Sequence, residues 1–224
     1  GLLSVGREAF NDDNSLEKVN LKNLHFWCNV RFSDEYSNPL CYAGKLYLNG
    51  VLVEELEIPK GVIAIENYTF VNCLSAKKII IPSTVKKIGC GAFWGVDANE
   101  LYIPGIEEWC NMIIKNDNSL VNTEGSTNVF VNGEKITELV IPETITKIPD
   151  NAFNGWGFLT SVVLPDNLTE IGYRAFAYCS SLTEITFPKS IKSVDESAFD
   201  GCDFLMKLYM PDVETFCNLE SMPY

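Results

Sequence analysis

Eight cysteines, a single histidine and many acids are the side chains of this 224-residue chain that could carry chemistry. Zinc needs about four Cys, His or carboxylate ligands at close spacing, and His25-x-x-Cys28 offers two with no second CxxC or HxxxH to complete them. Nucleophilic catalysis needs a base beside the nucleophile. One His, no Gly-rich phosphate loop and no G-x-S-x-G elbow leave the common hydrolytic and phosphoryl-transfer arrangements unfilled. Paired acids such as Asp12-Asp13, Glu54-Glu55 and Glu107-Glu108 are each accounted for by solvated faces or helix starts. The reading is therefore no catalytic residue, no metal and no cofactor.

Position sorts the cysteines. Cys73, Cys179 and Cys202 each follow a Phe by three residues, where other copies of the same pattern place Val96 and Trp156. Cys28, Cys110 and Cys217 share a place after an aromatic residue. Interchange with Val and Trp favours a small buried hydrophobe. A disulfide between stacked Cys179 and Cys202 stays open, because neighbouring strands lie about 4.8 Å apart. Cys41 and Cys90 fall outside these columns and are the better candidates for reactive thiols, although no activating base stands near them in sequence.

The elements that would position these residues come from an internal repeat. An apolar residue precedes proline at Ile58-Pro59, Ile81-Pro82, Ile103-Pro104, Ile141-Pro142, Leu164-Pro165, Phe187-Pro188 and Met210-Pro211. A small residue precedes Phe10, Phe70, Phe93, Phe153, Phe176 and Phe199, at spacings of 60, 23, 60, 23 and 23. Two windows thus carry the same 37-residue surplus over a 23-residue unit. The unit L-x-x-I-x-I-P-x-x-V-x-x-I-x-x-x-A-F-x-x-C begins with period-2 alternation, so Leu182, Ile185 and Phe187 should point inward and Glu184 and Thr186 outward. Proline ends the strand because it has no N–H to give a ladder. One such unit cannot bury its own apolar side, so the copies must stack.

This unit resembles the BspA-type leucine-rich repeat of bacterial and protist surface proteins. The resemblance covers nearly the whole chain and implies a right-handed solenoid of about eight repeats, with a parallel sheet on the concave face and short strands or turns on the convex side. It implies one solenoid domain over 1–224, with long repeats at about 22–53 and 104–136 and a truncated third at 212–224. The Asn ladder of other leucine-rich classes is absent here, with proline in its place. Both long repeats contain an aromatic-Cys-Asn run, Trp27-Cys28-Asn29 and Trp109-Cys110-Asn111, echoed at Phe216-Cys217-Asn218. Their i, i+3, i+4 apolar spacing predicts a short helix with the aromatic packed on the stack. Each closes at Asn49-Gly50 or Asn132-Gly133, a type I′ hairpin signal. These insertions are expected to project from the stack, as is usual of specificity elements. The sequon at Asn67-Tyr-Thr69 is read as accidental, because Thr69 takes the buried small position before Phe.

A formal charge of −13 and a pI near 4.5 oppose binding to nucleic acid or to an anionic membrane surface. No apolar run of 18 residues or more occurs, so direct membrane insertion is not expected. The repeat is already in progress at Gly1 and the third long repeat is cut short. A secretion signal or further repeats are expected to lie outside this stretch of a secreted or cell-surface bacterial protein. What remains is a binding face. One outward column reads Asn20, Glu57, Ile80, Tyr102, Val140, Val163, Thr186 and Tyr209; two places earlier it reads Lys18, Glu55, Lys78, Glu100, Glu138, Ser161, Glu184 and Lys207. Eight strands would make a sheet on the order of 35 Å across. That is enough for a protein or glycan ligand, including one on a host surface; the alternative is a stalk that spaces another domain. Strand-favouring residues in the outward column are compatible with either.

Overall fold

The computed structural model describes residues 3–114 and 127–219. Residues 115–126 of the second long repeat and 220–224 of the third lie outside them. The chain falls into two compact units, 1–103 with 112–122, and 104–111 with 123–224. Each is a parallel-strand β-solenoid, in which an ordinary coil contributes a front strand before the proline and a shorter back strand after it.

The first unit contains β1 (Ser4–Val5), β2 (Val19–Leu21), α1 (Leu24–Cys28), β3 (Arg31–Phe32), α2 (Leu40–Ala43), β4 (Leu46–Leu48) and β5 (Val51–Leu52). It continues through β6 (Glu55–Glu57), β7 (Ala64–Ile65), β8 (Lys78–Ile80), β9 (Lys87–Ile88) and β10 (Glu100–Ile103), and includes β11 (Ile113–Ile114). Its front strands pair in parallel as β2 with β4 and as β6, β8, β10, and its back strands as β7, β9, β11. The second unit holds α3 (Ile106–Cys110), the hairpin β12 (Asn128–Val131) and β13 (Glu134–Lys135), and front strands β14 (Glu138–Val140), β16 (Ser161–Val163), β18 (Glu184–Thr186) and β20 (Lys207–Tyr209). Its back row is β15 (Lys147–Ile148), β17 (Glu170–Ile171) and β19 (Ser193–Val194), and α4 (Val213–Cys217) follows β20.

The period-2 expectation holds in most front strands, but not in the last, β20, where Leu208 is 52% exposed. Leu56, Ile79, Leu101, Leu139 and Ile185 are buried between outward neighbours. In ordinary coils the front strand ends before its proline, whose carbonyl then accepts a turn hydrogen bond three residues on, as from Val62 to Pro59, Ile145 to Pro142 and Ile191 to Pro188. The Ala-Phe corner forms the core column. Phe70 stacks on Phe93 at 5.4 Å, and Phe176 lies between Phe153 at 5.3 Å and Phe199 at 5.5 Å. Residues two before and two after Phe adopt left-handed backbone in most copies: Tyr68 and Asn72, Gly91 and Gly95, Asn151 and Gly155, Arg174 and Tyr178. Two such reversals tuck each Phe inward between straight segments.

The first long repeat corrects the expectation of a projecting insertion. Its hairpin does form, with Asn49 and Gly50 both at positive φ, but the leading strand β4 lies in the front sheet beside β2, with Asn20 opposite Tyr47. Val19 and Leu46 are paired 27 positions apart, so the surplus is one slightly enlarged coil followed by a hairpin return to β6. The three predicted helices form, each five residues long. Asn at their C-caps has a visible reason: the Asn29 and Asn111 amides donate back to the carbonyls of His25 and Glu107, satisfying groups a helix end leaves open.

The helix tryptophans substitute for a missing coil. In ordinary copies the Phe N–H donates to the carbonyl before the next Phe, as Phe153 does to Ala175 and Phe176 to Ala198. Thr69 and Ala152 begin such series. Their buried carbonyls are met by the indole N–H of Trp27 at 2.9 Å and of Trp109 at 2.6 Å. Buried Asn38 adds a second donor to Thr69 at 3.0 Å.

Candidate functional site

In each unit the outward column lies where its register requires, yet the chemistry differs between the two. In the first unit Glu57, Ile80 and Tyr102 are in register, as are Glu55, Lys78 and Glu100. Lys78 Nζ sits 2.9 Å from Glu55 Oε2 and 4.7 Å above the Tyr102 ring, while the Tyr102 hydroxyl donates to Glu100 Oε2 at 3.2 Å. The hydrogen bond to Glu55 raises the Lys78 ammonium above its ordinary value. Ile80 and Tyr102, expected as exposed apolar contacts, are half-buried, and Tyr102 is tied into a closed polar network.

Within the outward column, the more exposed apolar residues are those of the second unit. Val140 stands directly opposite Val163 in parallel strands, and they are 61% and 55% exposed. Glu138 pairs in register with Ser161 on the same face. Farther along, Thr186 faces Tyr209, which is 47% exposed, and Glu184 and Lys207 form an ion pair at 3.3 Å. Such cross-coil pairs are solvated and contribute at most about 1 kcal/mol each.

One front-face residue escaped the sequence reading. Tyr47 occupies the column beside Asn20, with Lys18 Nζ 5.5 Å above its ring. The available signal was the alternation Leu46-Tyr47-Leu48, which repeats the strand pattern but leads into Asn-Gly instead of proline. Two clefts of the first unit hold about 240 Å³, beside Leu52 and Leu74, and about 150 Å³, beside Tyr36 and Trp94. Both are smaller than ordinary small-molecule pockets.

The reactive groups fall mostly as expected. Burial pushes the thiols of Cys28 and Cys110 up to about 12 and raises that of Cys73. Cys41, expected to be reactive, is instead raised by burial, and Cys217, expected to be buried, is exposed. Both His25 and the free face of α1 are exposed. Thr69 is buried, and the Asn67 side chain accepts from the Cys90 N–H at 3.0 Å, so that sequon serves packing. Among the described residues no three His, Cys, Asp or Glu gather as a metal-ligand set, and no helix is long and apolar enough to cross a membrane.

Among solved structures, a leucine-rich cell surface protein of Faecalibacterium prausnitzii is similar at 15% identity and TM-score 0.41, covering 99% of this chain and 80% of its own. A leucine-rich repeat protein of Bacteroides ovatus matches at 17% identity and TM-score 0.32, covering 98% and 78%. The T. pallidum leucine-rich repeat protein TpLRR matches at 22% and TM-score 0.41, covering 70% and 69%. No curated protein matches significantly. The model of the BspA type leucine rich repeat region matches six copies, over residues 44–129 and 123–221. With most of its length matched repeat by repeat, the chain belongs to the BspA-type leucine-rich repeat family.

Proposed function

We propose that this chain is a non-enzymatic, adhesin-like interaction module of a bacterial cell-surface or secreted protein, holding a protein or glycan ligand against the outward face of its front strands. Leucine-rich repeats of this kind are protein-interaction or structural repeat modules. The observation that favours a binding role here is the paired exposure of Val140 and Val163. Two large apolar side chains stand side by side on a strand face where solvated residues would cost nothing, and contiguous apolar surface of this kind is characteristic of contact sites. Glu138 and Thr186 supply polar groups on the same face, as does the Glu184–Lys207 pair, in keeping with the polar rim of an interface. The strong negative charge directs the module toward neutral or cationic ligands.

The test is capture on an array of host extracellular proteins and glycans by wild type and by the double variant Val140→Glu/Val163→Glu. Binding should fall at least tenfold while the melting temperature stays within a few degrees. Equal capture by the variant would remove this face from the site. Silence of the wild type across the panel would favour the stalk reading.

A further inference from the structure

We propose that Cys179 and Cys202 are a vicinal pair built to close into a disulfide that clasps two successive coils of the second unit. The two residues hold the same place in consecutive repeats. Their coils are locked in register on both sides of them: Phe176 N–H donates to Ala198 at 2.8 Å, Tyr178 N–H to Asp200 at 2.6 Å, and β18 pairs with β20 through Glu184 opposite Lys207. The Phe176 and Phe199 rings are nearly parallel, at 6°. At such a position neighbouring coils are about 4.8 Å apart, inside the Cα separation of roughly 4.4–6.8 Å that a disulfide spans.

The Cys202 side chain already leans toward the Cys179 coil, and closing the bond needs Cys179 Sγ to turn from Phe153 toward it. Cys202 Sγ leans back over the coil that carries Cys179 and donates to the Phe176 carbonyl at 3.1 Å. Cys179 Sγ leans the same way, toward Phe153 at 3.4 Å. The other cysteines lack such a neighbour in their column: the coil after Cys73 places Val96 there, and the coil before Cys179 places Trp156.

The pair is also divided in role. Cys179 is fully buried, whereas Cys202 is partly open to solvent. The neighbouring Cys179 thiol and backbone favour the Cys202 thiolate and lower its pKa, against burial and the opposing charges of Asp203 and Asp200. The neighbouring Cys202, with burial, raises the pKa of Cys179 and holds it protonated. Cys202 is therefore the attacking sulfur. With a small-molecule disulfide as oxidant, its thiolate attacks one sulfur, forming a mixed disulfide and expelling one thiolate. Cys179 then loses its proton to solvent and attacks Cys202 Sγ, the mixed S–S bond breaks, and the second thiol leaves. The protein dithiol has lost two electrons, and the reagent has become two thiols.

Cystamine is the suitable probe, because its cationic arms are attracted by Asp200 and Asp203. The folded full chain is incubated with it, remaining thiols are alkylated, and peptides are analysed by mass spectrometry without reduction. The expected product is a Cys179–Cys202 cross-link, with Cys28, Cys73 and Cys110 alkylated only after unfolding. Cys179→Ser should trap Cys202 as its cysteamine adduct, and Cys202→Ser should slow modification of Cys179 at least tenfold. A lasting cysteamine adduct on Cys202 of the wild type would overturn the proposal. So would an unreacted Cys202 in a sample whose exposed Cys217 is fully modified.

Discussion

Replacing Trp109 by Phe tests whether the helix tryptophans are packing residues or donors that open a series of coils. Trp109 is 1% exposed, and its indole N–H gives the Ala152 carbonyl a hydrogen bond of 2.6 Å. Phenylalanine keeps an aromatic ring against Trp156, whose centroid is 6.1 Å away, but removes the N–H and part of the ring volume. Leaving a buried acceptor unmet costs about 1–3 kcal/mol. Partial loss of a buried aromatic adds about 1–2 kcal/mol, well below the cost of full truncation. The expected destabilisation is therefore about 2–5 kcal/mol, read from the midpoint of urea unfolding followed by far-UV circular dichroism. Trp27→Phe provides the control. Its acceptor, Thr69, retains Asn38 as a second donor at 3.0 Å, so Trp27→Phe should cost less. A Trp109→Phe loss under about 0.5 kcal/mol, the level of an ordinary surface change, would refute the donor role. A larger loss for Trp27→Phe than for Trp109→Phe would do the same.

Phe176→Ala should cost about 3–5 kcal/mol through the cavity it opens between two stacked rings. A loss under about 1 kcal/mol in the same urea experiment would show that the Phe column is not the core. Gly201→Ala places a Cβ 2.5 Å from Tyr178 Cδ1 at a φ of +68°, and the left-handed backbone alone costs about 1–2 kcal/mol for a residue with a side chain. Thermal unfolding should detect the drop, and an unchanged melting temperature would contradict it. The Asp212 carboxylate accepts the Thr215 N–H at 2.7 Å and is held below the ordinary 3.8, first by that bond and further by Lys189. A depressed carboxyl stabilises above the ordinary value and loses that contribution as pH falls through the folded one. The Thr215 amide NMR shift should thus hold steady until below pH 3.8, a transition that Asp212→Asn should abolish.

Most of the fold was legible because its determinants are local. Alternation in each strand fixes which residues are buried, since a slip of one residue would turn Ile185 out and Glu184 in. The helices were legible from Trp-Cys-Asn at the right offset. The place of β4 was not, because both rulers, proline after the strand and Phe after a small residue, are missing from Leu46-Tyr47-Leu48. The left-handed corners were also overlooked. Gly95, Gly155 and Gly201 share their position with Asn72 and Tyr178, so no single residue type marks it. Burial of Cys28 and Cys110 was predicted correctly, but the same motif leaves Cys217 exposed. The motif sets the helix, while the cover over its cysteine comes from other segments.

The outward column shows why the repeat tells so much more about fold than about function. Inward residues and ladder hydrogen bonds are repeated from coil to coil, so stability constrains them to a few types. Outward residues have no such constraint, and their meaning depends on partners that the period does not encode. Tyr102 and Val140 hold equivalent register places. The first is drawn into a network by Lys78, one coil before it, and by Glu100 on its own strand; the second stands opposite another valine. A residue that would signal a contact patch in one coil is therefore a satisfied surface group in another. What the face offers is therefore set by the combination of neighbouring coils, and at Val140 and Val163 that combination leaves two apolar side chains exposed.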